Sequence, residues 1–70
     1  MTETTRDDIR ARAIEMIRAA PHGLRHADLL RGLSAQMYDV SVHLIDDELA
    51  TLRHSLPRGI SMQKRVYRQE

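Results

Sequence analysis

Basic side chains are concentrated in the last quarter of the sequence, where they could bind anions. Residues 53–70 contain one acid, Glu70, and five basic residues: Arg53, Arg58, Lys64, Arg65 and Arg68. The guanidinium group of Arg matches two phosphate oxygens at once, and Lys adds a compact positive charge. These residues therefore indicate contact with a phosphate backbone. The alternative is that they form only the solvated face of a β-hairpin.

A block of acids precedes this basic segment. Residues 39–52 carry four acids and no Arg or Lys, and three of the acids are consecutive: Asp46, Asp47 and Glu48. Such a run is typical of a solvated helix surface, and it could also meet a basic partner protein. Acids at a contact surface reduce its affinity for a polyanion.

The histidines do not predict a metal site. His22 and His26 are four residues apart, and His43 lies one helical turn before Asp47. However, His22 lies in a Pro-His-Gly turn outside a helix, and no third ligand has suitable spacing. The chain has no Cys, and it contains no nucleotide-binding, zinc-protease or serine-hydrolase motif. We therefore expect no catalytic residue, metal or cofactor, and we do not expect an enzyme.

These side chains belong to a chain of 70 residues, which is enough for one domain with a small core. No apolar run approaches the roughly 20 residues that cross a bilayer. The first residues lack the apolar stretch of a secretory signal. We expect a single domain over residues 1–70, disordered over residues 1–5, located in the cytoplasm and without membrane contact.

The first helix is predicted to begin at Thr5, whose hydroxyl could cap it, and to end at the turn of residues 21–23. Its apolar stripe consists of residues three or four positions apart: Ile9, Ala13, Met16, Ile17 and Ala20. A short strand is expected at Leu24 and Arg25. A second helix over residues 27–33 and a turn over residues 34–39 follow, with His26 near the helix start.

The third helix is expected to run to about His54, with either Asp39 or Ser41 as its cap. Its inward stripe is formed by apolar residues at helical spacing: Val42, Ile45, Leu49 and Leu52. The opposite face presents His43, Asp47, Ala50, Thr51 and His54, with Asp46 and Glu48 on the flanks. Residues 59–68 alternate apolar and polar side chains, which predicts a β-hairpin with its turn near residues 63–65. The turn contains neither Asn-Gly nor Asp-Gly, so its type stays open. Tyr67 is expected to pack its ring in the core and leave its hydroxyl in water, and the alternative is that it touches a phosphate.

The predicted elements follow the order helix, short strand, helix, turn, helix and hairpin. This order resembles that of the winged helix-turn-helix superfamily. The resemblance extends over nearly the whole chain, and its most telling stretch is residues 42–67, where the third helix leads into a basic hairpin. It implies an α+β, mostly α fold whose third helix enters the major groove while the hairpin, or wing, lies against the backbone or the minor groove. It also implies a DNA-binding protein, expected to be a bacterial transcriptional regulator or part of a larger assembly. The implied contact residues are Arg25, His43, Thr51, Arg53, His54, Arg58, Lys64, Arg65 and Arg68.

A second hypothesis is a protein-interaction module with the same fold. The acidic third helix could dock on a basic partner, or an exposed apolar patch could form a protein or homodimer contact. The candidates for that patch are Met37, Tyr38, Val40 and Leu44. The sequence does not distinguish the two hypotheses, nor does it specify a DNA target, an effector or an oligomeric state.

Overall fold

A computed structural model describes the backbone of residues 2–70 and the side chains of residues 5–70. Its elements are α1 (Thr2–Arg18), β1 (Leu24–Arg25), α2 (His26–Gln36), α3 (Val42–His54), β2 (Ile60–Gln63) and β3 (Val66–Gln69). The strands form one antiparallel sheet in the order β1-β3-β2. The expected α+β, mostly helical class is confirmed, and the layout is compatible with a winged helix. None of the helices in the described residues has the length and apolar character that crossing a membrane requires.

The core lies where the three helices meet the inner face of the sheet. Buried apolar side chains come from every helix and from the hairpin: Ile9, Ala13, Ile17, Leu29, Leu33, Met37, Ile45, Leu49, Leu52, Ile60 and Tyr67. The three- and four-residue spacing within each helix gives it one apolar stripe, and burying that stripe is the main source of stability in a chain this small. The expected stripe of α1 is confirmed at three positions, while Met16 and Ala20 are only partly buried.

The cap predicted at Thr5 is wrong, because α1 begins three residues earlier, at Thr2. Asp8 lies inside the helix and pairs with Arg12 one turn later, at 3.2 Å, rather than facing a helix N-terminus. The disorder expected for residues 1–5 stays a prediction, because Met1 and the side chains of residues 2–4 lie outside the described residues. The C-terminal end of α1 is capped by Gln69, whose side-chain amide donates to the backbone carbonyl of Arg18 at 2.6 Å.

The second helix is longer than expected. It starts at His26 and continues through residues 34–36, which the sequence had assigned to a turn. The extra turn carries Met37 into the core, and its amide donates to the carbonyl of Leu33 at 2.8 Å. The cap of α3 is Ser41 and not Asp39, since the Ser41 hydroxyl accepts from the amide of His43 at 3.2 Å.

The inward face of α3 is rotated relative to the prediction. Ile45, Leu49 and Leu52 are buried as expected, but Val42 is 47% exposed and was wrongly placed in the core. Glu48, expected on an exposed flank, is buried instead. The buried positions follow the i, i+3, i+4, i+7 pattern of one helix face, so Glu48 is carried inward with its apolar neighbours.

The hairpin closes through two residues, Lys64 and Arg65, which confirms the turn position that the sequence predicted. Both have left-handed backbone angles, with φ values of 53° and 63°. Left-handed φ at both central positions defines a type I′ turn, whose twist matches that of the flanking strands. At the far side of the sheet, Gly23 has a φ of 93°, and a β-carbon there would lie 2.9 Å from Val66. Glycine at position 23 therefore allows β1 to approach β3.

Candidate nucleic-acid interface

His26 connects the tip of the hairpin to the third helix. Its backbone amide donates to the carbonyl of Arg65 at 2.9 Å, and its Nδ1 lies 3.0 Å from the hydroxyl of Tyr67. Its Nε2 lies 3.6 Å from Oδ1 of Asp46 on α3. One largely buried imidazole thus contacts both elements of the predicted interface. The sequence indicated only that His26 starts a helix, because its partners lie 20 and 41 residues further along the chain.

Three of the predicted contact residues converge beside this histidine. Arg25, Lys64 and Arg65 line a shallow cavity of about 190 Å³ together with His26 and Ala27. The convergence follows from strand register, since Arg25 pairs with Val66, the residue directly after the hairpin turn. Arg25 also forms an exposed ion pair with Asp28 at 3.2 Å. In the described part of the chain, Lys64 and Arg65 form no ion pair.

The other two cations of the hairpin segment do not join this group. Arg58 lies in the turn before β2, at the opposite end of the hairpin from Lys64 and Arg65. Arg68 pairs with Ser61 and lies three residues from the tip, which corresponds to about 10 Å along a strand. Side chains alternate between the faces of a strand, so Arg68 lies on the face opposite Tyr67. The predicted set of basic residues therefore divides between the tip and the far end of the hairpin.

The predicted contact residues of α3 are all exposed, but they are not equivalent. His43 and His54 lie on the face opposite the buried stripe, as expected. Arg53 lies on the hairpin side, where its charge acts on the phenol of Tyr67. The hydroxyl of Thr51 donates to the backbone carbonyl of Asp47 at 3.2 Å, so it is already engaged within the helix. His43, Arg53 and His54 are thus the better candidates for an external contact.

Two acids of the acidic run of α3 share one cation that another helix supplies. Arg6 of α1 lies 2.8 Å from a carboxylate oxygen of Asp47 and 3.1 Å from one of Glu48. Its hydrogen bonds to Asp47 and then to Glu48 raise the pKa of the Arg6 guanidinium above its ordinary value. Asp46 faces His26 instead. The expectation that these acids reduce affinity for a polyanion stays a prediction, because Arg6 offsets one of the three negative charges and the side chain of Asp47 is still 63% exposed.

The hydroxyl of Tyr67 is not left in water, contrary to the prediction, because it bonds to His26. The ring itself is fully buried in the core, as expected. Burial raises the pKa of the Tyr67 phenol, the positive charge of Arg53 opposes this, and the negative charge of Asp46 adds to it. A raised pKa keeps the phenol neutral and able to donate to the imidazole at physiological pH.

The predicted apolar patch is not continuous. Met37 is buried, and Val40 and Leu44 are partly buried against the core. Tyr38 remains, with 89% of its surface exposed, and Val42 is exposed near it in sequence. Among the described residues, no group of three His, Asp or Glu side chains is placed to hold a metal ion. Comparison of the chain with protein-family models, with curated proteins and with solved structures found no match.

Proposed function

We propose that this chain is a winged-helix protein that binds duplex DNA through the tip of its hairpin and the adjacent face of α3. The observation that carries the proposal is an asymmetry of ion pairing. Asp47 and Glu48 are paired with Arg6 inside the fold, whereas Lys64 and Arg65 form no ion pair among the described residues. Cations that a protein leaves unpaired beside an exposed helix favour an anionic partner.

The residues would have different roles in such a complex. Lys64, Arg65 and Arg25 would contact phosphates, which positions the protein without reading sequence. His43, Arg53 and His54 would reach the groove from α3, where base edges carry the sequence information. A single copy with so few cations would bind weakly at physiological salt. Weak binding by a single copy is compatible with a small bacterial transcriptional regulator or with the DNA-binding part of a larger assembly.

Fluorescence anisotropy with a labelled duplex of random sequence, measured at two salt concentrations, tests the proposal. Charge reversal by Lys64→Glu and Arg65→Glu is expected to weaken binding to all duplexes alike and to lower the dependence of log K on log salt by about 2, roughly one per phosphate contact. The matched control is Arg18→Glu with Arg31→Glu, which changes net charge equally at exposed positions on α1 and α2. Equal losses for both double variants would show that only net charge matters. Undetectable binding of the unmodified chain at low salt would refute DNA binding.

Tyr38 supports a second candidate function, a protein-interaction module. Its ring is 89% exposed, and its neighbours Met37 and Asp39 line a groove of about 270 Å³ between α1 and the α2–α3 turn. Large aromatic side chains that are this exposed are common anchors at protein interfaces. This candidate function makes two requirements. The unmodified chain must show no affinity for DNA, and Tyr38→Ala must abolish its self-association or its binding to a partner protein.

A further inference from the structure

Asp46 is an exposed acid at the border of the basic surface. Its side chain is 60% exposed, and one carboxylate oxygen lies 3.6 Å from Nε2 of His26. The same histidine lines the cavity that Arg25, Lys64 and Arg65 surround. The next residue, Asp47, differs, because its carboxylate is held at 2.8 Å by Arg6 on the other side of α3. Asp46 is thus the acid of α3 that lies next to the hairpin cations.

Neither stability nor general DNA affinity explains an acid at position 46. An exposed pair as long as 3.6 Å contributes little to the free energy of folding. A negative charge beside phosphate-binding cations lowers affinity for every duplex. An ionised carboxylate does have one specific property, since it accepts hydrogen bonds and cannot donate them.

We propose that Asp46 determines the sequence preference of the interface by accepting a hydrogen bond from the N4 amino group of a cytosine in the major groove. This inference rests on the proposed DNA-binding function. Guanine and thymine present acceptor oxygens at the corresponding edge, and these repel a carboxylate. In the major groove the amino group of adenine lies between two acceptors, its own N7 and O4 of the paired thymine, whereas the amino group of cytosine has an acceptor, O6 of the paired guanine, on one side only. A lone carboxylate therefore selects cytosine.

One oxygen of Asp46 faces a largely buried histidine. The buried phenol of Tyr67 lies 3.0 Å from Nδ1 of His26, and a neutral phenol can either donate to that nitrogen or accept from it. The carboxylate of Asp46 can only accept, so it favours the tautomer with a proton on Nε2, which lies 3.6 Å from Oδ1. The contact involves Oδ1 and leaves the second carboxylate oxygen of Asp46 for the base.

The test is selection of duplexes from a randomised pool by the unmodified chain, by Asp46→Ala and by Asp47→Ala, with the bound fractions sequenced. Both variants remove one negative charge, but Asp47 is paired with Arg6 on the other side of α3, so general affinity is expected to rise less in Asp47→Ala than in Asp46→Ala. We expect the unmodified chain and Asp47→Ala to prefer cytosine by about tenfold at one position, and Asp46→Ala to lose that preference. Thermal melting of all three chains checks that they remain folded.

A modified base tests the hydrogen bond itself. N4-methylcytosine keeps the hydrogen that pairs with guanine and replaces the one facing the major groove. In the selected duplex it is expected to weaken binding of the unmodified chain by about tenfold and to leave Asp46→Ala unaffected. If the chain binds duplexes but Asp46→Ala keeps the preference, or Asp47→Ala loses it equally, the inference fails while the proposed function stands. If the unmodified chain binds no duplex, the proposed function itself fails.

Discussion

Replacing Lys64 and Arg65 by Asn and Gly is expected to stabilise the protein while weakening its contact with DNA. Both residues have left-handed backbone angles, at φ 53° and 63°. A side chain with a β-carbon costs about 1–2 kcal/mol in that conformation, and Asn and Gly tolerate it best. Glycine also lowers the free energy of unfolding by about 0.5–1 kcal/mol, because it increases the conformational entropy of the unfolded chain. The double substitution Lys64→Asn with Arg65→Gly should therefore raise the free energy of unfolding by about 1 kcal/mol, equivalent to about 4–8 °C in Tm.

The control for this experiment is Lys64→Ala with Arg65→Ala, which removes the same two charges but keeps a β-carbon at each position. Thermal unfolding followed by circular dichroism measures stability, and anisotropy with labelled duplex measures binding. Both double variants should lose DNA affinity to the same extent, and only the Asn and Gly substitutions should raise Tm. Equal melting temperatures for the two variants would refute the reasoning, since left-handed backbone would then store no strain. A natural sequence can retain such backbone strain where the strained side chains contact a ligand.

Two further substitutions test the contacts beneath this surface. Arg6→Ala removes the cation that the buried carboxylate of Glu48 faces, so it should lower the free energy of unfolding in urea. Arg18→Ala removes an exposed cation and should have little effect, and equal effects would contradict the pairing. The pKa of Tyr67 is raised above the value of 10.0 that the unfolded phenol has, so its stabilising contribution is complete below pH 10.0 and is lost as pH rises through the folded pKa. The variant Tyr38→Phe leaves Tyr67 as the remaining tyrosine, so a pH titration followed by phenolate absorbance reports on Tyr67 alone. The midpoint of that titration should lie above pH 10.0, and a midpoint below pH 10.0 would contradict burial as the cause.

Local signals in the sequence predict most of the fold. The apolar stripes of α1 and α3 account for six of the buried positions, and Leu24 and Arg25 form the expected strand. The errors arise where tertiary contacts determine which side chains are buried and where a helix ends. Val42 has the right spacing for the core, but the helix is rotated so that Glu48 is inside, and no local pattern reveals that Arg6 will face it across 42 residues. Likewise, α2 extends to residue 36 because Met37 fills the core.

The interface was predictable by residue type and less so by arrangement. The basic character of the hairpin tip follows from Lys64 and Arg65, and the alternation of side chains places the turn there. The position of Arg25 beside the hairpin tip depends on its pairing with Val66, which the sequence did not specify. Nothing in the sequence indicated that His26 joins the hairpin to α3, because that contact depends on where two distant elements meet.

The pairing of β1 with β3 has a consequence for how the domain folds. The hairpin closes through a two-residue turn and each helix forms from local contacts, but Leu24 and Tyr67 are 43 residues apart in the chain. Closing such a long loop costs more conformational entropy than any other step in the sheet, so β1 is the strand whose attachment is slowest and whose release is easiest. The groups that surround His26 assemble only when this strand docks. A transient opening at β1 would separate the residues of the candidate interface while the helices remain packed. Hydrogen exchange at the amide of His26, which is bonded to the carbonyl of Arg65, would then measure how often that opening occurs.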